Sequence, residues 1–275
     1  MEVTACSGPA APRACLEWDE RGGVTVVADG APQSHVQPDD PTVLVFEYVQ
    51  HLAAVLRVLP PGPLAVTHVG GAGLTLPRWV ESTRPGSPQI VLEPDAALTE
   101  IVRREVPLPR RHRIRVRAQD GVTGVSALGD SSADVVITDA YAVGRVPAEL
   151  THTAYVGQVT RVLRPAGTAM WNLADEPDLR YVARVVATVR LHLAEVALLG
   201  AHEVLKGRRF GNVVLAASRV PLPLGALRRV VAASAAPTGL RAGAQAQRLG
   251  GGGRPFVDDS SASPPPPEAG GWRVR

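Results

Sequence analysis

Three glycines in four positions, Gly70, Gly71 and Gly73, follow the apolar stretch LAVTHV at 64–69 and precede a helix-like segment. Glycine at that junction weakens both neighbouring elements, so a packing or ligand reason is expected. Glu93 ends the next apolar stretch, near the offset of roughly 20 residues at which an acidic side chain meets ribose hydroxyls in nucleotide-binding βαβ units. Asp139 ends a third such stretch, DVVIT at 134–138, and Asp120 lies in the turn-like QDG ahead of Gly121. Carboxylates at strand ends can accept hydrogen bonds from sugar hydroxyls or protons from amines. An Asp in that place can also be a helix N-cap or a solvated strand end, and QDG also suits a plain turn. The glycines depart from G-x-G-x-x-G, and no G-x-x-x-x-G-K-[ST] occurs anywhere. A nucleoside without a pyrophosphate is therefore the ligand expected there.

These residues need a sheet to hold them. Apolar strand candidates at 64–69, 89–93, 113–118, 134–138, 167–173 and 211–217 alternate with helix candidates near 75–83, 95–105, 151–163 and 178–196. Alternation of this kind predicts βαβ units and a parallel sheet, an α/β fold with helices on both faces. Residues 1–41 read as a small β-rich region with hairpins. A helical pattern spans TVLVFEYVQHLAAVLRVL from Thr42 and stops at Pro60-Pro61, which opens a core domain over 42–236. From 237 to 275 the composition turns Gly-, Pro- and Ser-rich, and a structureless tail is expected.

Composition narrows the function classes. The 275 residues carry 29 basic and 26 acidic side chains, a net charge of +3. That balance, the scatter of the arginines and 4% aromatic content argue against a nucleic-acid partner. Cys6 and Cys15 have no C-x-x-C spacing, so neither a disulfide framework nor a zinc site is expected, and a reducing cytoplasmic setting fits. Clustered metal ligands and G-x-S-x-G are absent from the sequence, so no metal and no serine-hydrolase chemistry is expected. No apolar run reaches membrane-spanning length, and the N-terminus lacks a signal-peptide pattern.

Taken together, QS at Gln33-Ser34, FEYVQHLA, VGGAGLTLPRWV, IVLEPD, RAQDGV, DVVITDAY and QVTRVLRPAGTAMWNL resemble the spermidine synthase family over roughly residues 14–220. That family of polyamine aminopropyltransferases shares the Rossmann-like fold of class I S-adenosylmethionine-dependent methyltransferases. The resemblance implies a transferase moving an aminopropyl group from decarboxylated S-adenosylmethionine to a small-molecule amine, in polyamine biosynthesis. By position it implies that Gly70, Gly71 and Gly73 line the nucleoside's path and that Glu93 holds the ribose. Asp120, beside Gly121, would meet the adenine amine, His51 the nucleoside end, and Gln33 the aminopropyl or methionine side. Asp139 would be the general base or orienter, with Gln50 and Tyr141 in the acceptor pocket. A homodimer is also implied. His68, inside its strand, reads as a core histidine.

The chain departs from the family pattern in several places. GGAGLT carries no acidic residue, Ala142 stands where a second aspartate is usual, and Gln50 replaces a tyrosine. A late tyrosine is missing from LKGRRFGNVV, and Arg145 adds a positive charge near Asp139. A methyltransferase using intact S-adenosylmethionine, and a non-catalytic homologue binding a nucleoside or a protein, are the alternative readings.

Overall fold

The computed structural model describes residues 14–28, 30–257 and 263–265. The chain opens with strands β1 (Ala14–Trp18), β2 (Val24–Ala28) and β3 (Ala31–Val36), followed by helix α1 (Glu47–Val58). Then come β4 (Val66–Val69), α2 (Thr75–Thr83), β5 (Gln89–Leu92), α3 (Ala96–Glu105), β6 (Ile114–Arg117), α4 (Gly121–Ser126) and β7 (Ala133–Thr138). A short 3-10 turn at Ala148–Thr151 leads into α5 (Thr153–Val162), β8 (Leu163–Asp175), α6 (Arg180–Val189), β9 (Glu195–Ala201) and α7 (His202–Leu205). The described chain continues with β10 (Gly211–Ser218), α8 (Leu224–Ala232), β11 (Thr238–Ala242) and α9 (Ala244–Gly251).

β1, β2 and β3 form a small antiparallel sheet, as the hairpin signals predicted. The other eight strands form one sheet in the order β11-β9-β10-β8-β7-β4-β5-β6. Neighbours from β8 to β6 are parallel, in agreement with the βαβ pattern. The expectation of an all-parallel sheet is corrected at the other end, where β10 runs antiparallel to β8 and β9, and β11 antiparallel to β9. Only residues 202–210 join β9 to β10, which is too short for a right-handed crossover and forces an antiparallel return.

The sheet is buried on both faces, and side-chain alternation divides the core in two. On β8, Met170 faces Leu52, Leu56, Trp79 and Leu227 of α1, α2 and α8. The next residue, Trp171, faces Val156, Val182 and Val186 of α5 and α6. Helices on both faces thus hold the carboxyl edge of the parallel strands in place.

Four further expectations change. The helix read over 178–196 ends at Val189, and EVALLGA forms β9. The helix read from Thr42 starts only at Glu47. The tail expected from 237 is folded over much of its length: β11 joins the sheet, and Phe256 is fully buried against Tyr181 at 5.8 Å between ring centroids. Cys15 is disulfide-bonded, which corrects the reading of the cysteine spacing and removes its argument for a reducing setting. No helix among the described residues is long and apolar enough to cross a membrane.

Candidate functional site

Along the carboxyl edge of the parallel strands runs a cleft of about 380 Å3, large enough for a small-molecule ligand. Its floor is set by strand-end hydrogen bonds: Gly70 N–H to Leu92 O at 2.9 Å, Glu93 N–H to Arg117 O at 3.0 Å and Asp139 N–H to Val69 O at 2.8 Å. Glu93, Gly70 and Asp139 are therefore brought side by side by β5, β4 and β7.

The glycine cluster does three separate jobs. Gly70 adopts φ +94°, and a Cβ there would lie 2.0 Å from the carbonyl oxygen of Asp139, so only glycine fits. Gly71 N–H donates to Glu93 Oε2 at 2.9 Å, and Ala72 N–H to the same oxygen at 3.1 Å. Gly73 does not line the cleft, which corrects its expected role. A Cβ there would meet Ser34 Oγ at 2.5 Å and Val36 at 3.0 Å, so Gly73 lets the N-terminal sheet dock. Its N–H donates to Ser34 Oγ at 2.8 Å, and Thr75 Oγ1 donates to the His35 carbonyl at 2.8 Å.

Glu93 is engaged from both sides, since its Oε1 accepts from Asp95 N–H at 3.0 Å. The carboxylate thus ties the glycine turn to the start of α3 while lining the cleft, with Oε1 accepting one hydrogen bond and Oε2 two. Asp120 also lines the cleft but is exposed and caps α4, accepting from Thr123 N–H at 2.9 Å. That backbone hydrogen bond chiefly holds its carboxyl below the usual range. Gly121, the first residue of α4, packs so closely that a Cβ would meet Val69 at 2.4 Å. Gln33 lines the opposite wall, its amide turned to the Ala28 and Ala31 carbonyls at 3.3 and 3.4 Å.

The other half of the cleft is built around Asp139. Asn172 Nδ2, on β8, donates to Asp139 Oδ1 at 2.9 Å. Asn212 Nδ2, on β10, donates to Asn172 Oδ1 at 2.9 Å and to Tyr141 Oη at 3.0 Å. Tyr141 in turn donates to the Asn172 carbonyl at 3.3 Å. Tyr48, on α1, donates to the Gln33 carbonyl at 3.3 Å and lines the same wall. Desolvation pushes the Asp139 carboxyl up to about 6, against the opposing pull of the Asn172 amide. Desolvation and then the charge of Asp139 raise both phenols well above their ordinary value, so Tyr48 and Tyr141 stay protonated. A carboxyl titrating near neutrality beside two phenols can take up a proton or hold a cation.

Two further expected site residues, Gln50 and His51, lie elsewhere. Helical rotation puts residues 48 and 50 of α1 on opposite faces, so Tyr48 reaches the cleft while Gln50 donates to the Leu44 carbonyl at 2.7 Å. His51 is buried in the core, with Nε2 3.2 Å from Thr238 Oγ1 of β11. His68 is the core histidine expected, with Nε2 2.9 Å from Gln89 Oε1, although it also forms part of the cleft wall. Tyr48, Asn172 and Asn212 were not singled out from the sequence. Tyr48 sits in the quoted FEYVQ segment, but the two asparagines carry no local signal. No group of three or more metal-ligating side chains occurs among the described residues.

No protein-family model and no curated protein matches the chain. Solved structures do. One described as a probable spermidine synthase from Corynebacterium glutamicum is 27% identical, with a TM-score of 0.83 over 90% of this chain and 94% of that one. A spermidine synthase in complex with the transition-state analogue AdoDATO is 16% identical, with a TM-score of 0.59 over 78% of this chain and 76% of that one. Human methyltransferase-like protein 13 in complex with SAH is 22% identical, with a TM-score of 0.56 over 67% of this chain and 92% of that one. The resemblance to the spermidine synthase family carried by the motifs therefore extends to the fold, a methyltransferase-like sheet preceded by a small antiparallel one.

Proposed function

We propose that this chain is a spermidine synthase-like transferase, moving an aminopropyl group from decarboxylated S-adenosylmethionine to an amine. The observation that carries the reading is Asp139: a carboxyl raised to about 6, oriented by Asn172 and set beside the Gly70 turn. The SAH and AdoDATO complexes of the neighbouring structures support a nucleoside related to S-adenosylmethionine as ligand. In this reading the donor's ribose lies against Glu93 and the adenine end toward Asp120, while Gly70 and Gly71 allow close approach to the backbone.

The chemistry follows from the two halves of the cleft. The amine's lone pair forms a C–N bond at the methylene carbon attached to sulfur. The C–S bond breaks, and its electron pair returns to sulfur to give a neutral thioether nucleoside. The proton released by the amine passes to the Asp139 carboxylate, which is ionised above about pH 6. Its negative charge also stabilises the ammonium as it forms, and holding both substrates in one cleft supplies proximity.

A methyltransferase using intact S-adenosylmethionine is the second reading. It is favoured by the turn Gly70–Leu74, which has no acidic side chain to repel a donor carboxylate. The test is Asp139→Asn, scored for thioether nucleoside release and for donor binding. The transferase reading expects release to be abolished and binding retained. Unchanged release would remove Asp139 from the reaction.

A further inference from the structure

Resting on the transferase reading above, we propose that the acceptor is a monoamine, with one ammonium group held by Asp139, Tyr48 and Tyr141 and an uncharged tail beyond it. The polar atoms around Asp139 are arranged as acceptors. The Tyr48 hydroxyl proton is committed to the Gln33 carbonyl and that of Tyr141 to the Asn172 carbonyl; Asn212 occupies one lone pair of Tyr141, which leaves that phenol one acceptor position and Tyr48 its lone pairs. The Asn172 amide is used by Asp139 on one side and by Asn212 on the other. One carboxylate and two phenol oxygens match the three N–H groups of a single ammonium, and one negative charge balances one positive charge.

A second ammonium has no comparable place. The other carboxylates of the cleft are Glu93, Asp95, Asp120 and Glu149. Glu93, Asp95 and Asp120 belong to the β5–β6 half and are tied to backbone N–H groups there. Glu149 is exposed, and an ion pair in water is worth only about 0–1 kcal/mol. The wall beyond Asp139 is instead formed by Ala140, Ala142, Val143 and Pro147, which suits a carbon chain. Arg145, in the turn closed by the Ala142–Arg145 bridge, adds positive charge to the same segment. Ala142 and Val143 are exposed, so a second ammonium there stays in water beside Arg145 and gains no ion pair that would select it.

The experiment starts with calorimetric titration of the purified chain with decarboxylated S-adenosylmethionine. It continues with thioether nucleoside release using n-butylamine or putrescine, which differ by one terminal amine. The expected result is donor binding and a kcat/KM at least tenfold higher for n-butylamine. Ala142→Asp, at an exposed position, is expected to shift the ratio at least tenfold toward putrescine. A wild-type preference for putrescine overturns the inference. So does a protein that binds the donor and consumes neither amine. Failure to bind the donor instead overturns the transferase reading, and the inference falls with it.

Discussion

Replacing Asn172 by leucine isolates what holds Asp139 in its ionisable state. The side chain is 1% exposed and nearly isosteric with leucine, so the fold keeps its volume. Asp139 loses the 2.9 Å hydrogen bond at Oδ1, the one interaction that lowers a carboxyl which desolvation nonetheless holds at about 6, while Asn212 Nδ2 loses Asn172 Oδ1 and keeps Tyr141 Oη. A hydrogen bond to a charged group contributes about 1.5–3 kcal/mol, or about 1 to 2 pH units at 1.36 kcal/mol per unit. Asp139 is then expected to titrate at about 7 to 8. At pH 7 its ionised fraction falls from about nine-tenths to between about one half and one tenth. Activity at pH 7 should drop by about two- to tenfold and recover by pH 9. A pH profile of kcat/KM, paired with a carboxyl-stretch infrared titration of Asp139 against Asp139→Asn as a blank, reads both. An apparent pKa that stays at about 6 or falls would refute the role given to Asn172.

Other outcomes follow from the same structure. Asp139→Asn should gain up to about 3 kcal/mol of stability at pH 8, from a shift between 3.8 and about 6. The folded carboxyl is raised, so its burden is absent below pH 3.8 and complete above about 6; equal denaturation midpoints at pH 8 would contradict it. Gly70→Ala forces a Cβ to within 2.0 Å of the Asp139 carbonyl at φ +94°, and should cost about 2 kcal/mol or more with loss of donor binding. Thermal unfolding and calorimetry check this, and a wild-type melting temperature would count against it. His51 and His68 are buried and lowered from 6.5 to about 4, so the unfolded chain binds protons that the folded chain refuses. Stability should fall as pH drops from 6.5 toward 4, and His51→Leu should flatten that slope in chemical denaturation.

How much was legible depended on whether the determining contacts were local. β4, β5 and β7 each combine an apolar run with a distinctive end, so Gly70, Glu93 and Asp139 were readable at adjacent strand ends. Gly73 was misread because its constraint comes from Ser34 and Val36 on a different sheet. Motif position points to Gln50, while helical rotation brings Tyr48, two residues earlier, to the cleft. Asn172 and Asn212 act through a network joining β7, β8 and β10, which no linear spacing exposes. The glycine-rich stretch after 237 was read as a tail, yet its glycines are contact points. A Cβ on Gly250 would meet Val186 at 2.5 Å, and one on Gly253 the Ala183 carbonyl at 2.3 Å. Low complexity there encodes close packing of α9 on α6. β9 was lost in a continuous apolar run, for which periodicity cannot separate a buried strand from a buried helix.

The central claim, that the Gly70–Glu93–Asp139 edge takes a sulfonium nucleoside stripped of its carboxylate, is tested most directly by calorimetry with two donors. Decarboxylated and intact S-adenosylmethionine are titrated into the wild type and into Glu93→Ala. The account predicts binding to the wild type with a clear preference for the decarboxylated form, and loss of that binding in Glu93→Ala. Preference for the intact form, or binding of neither, would contradict it.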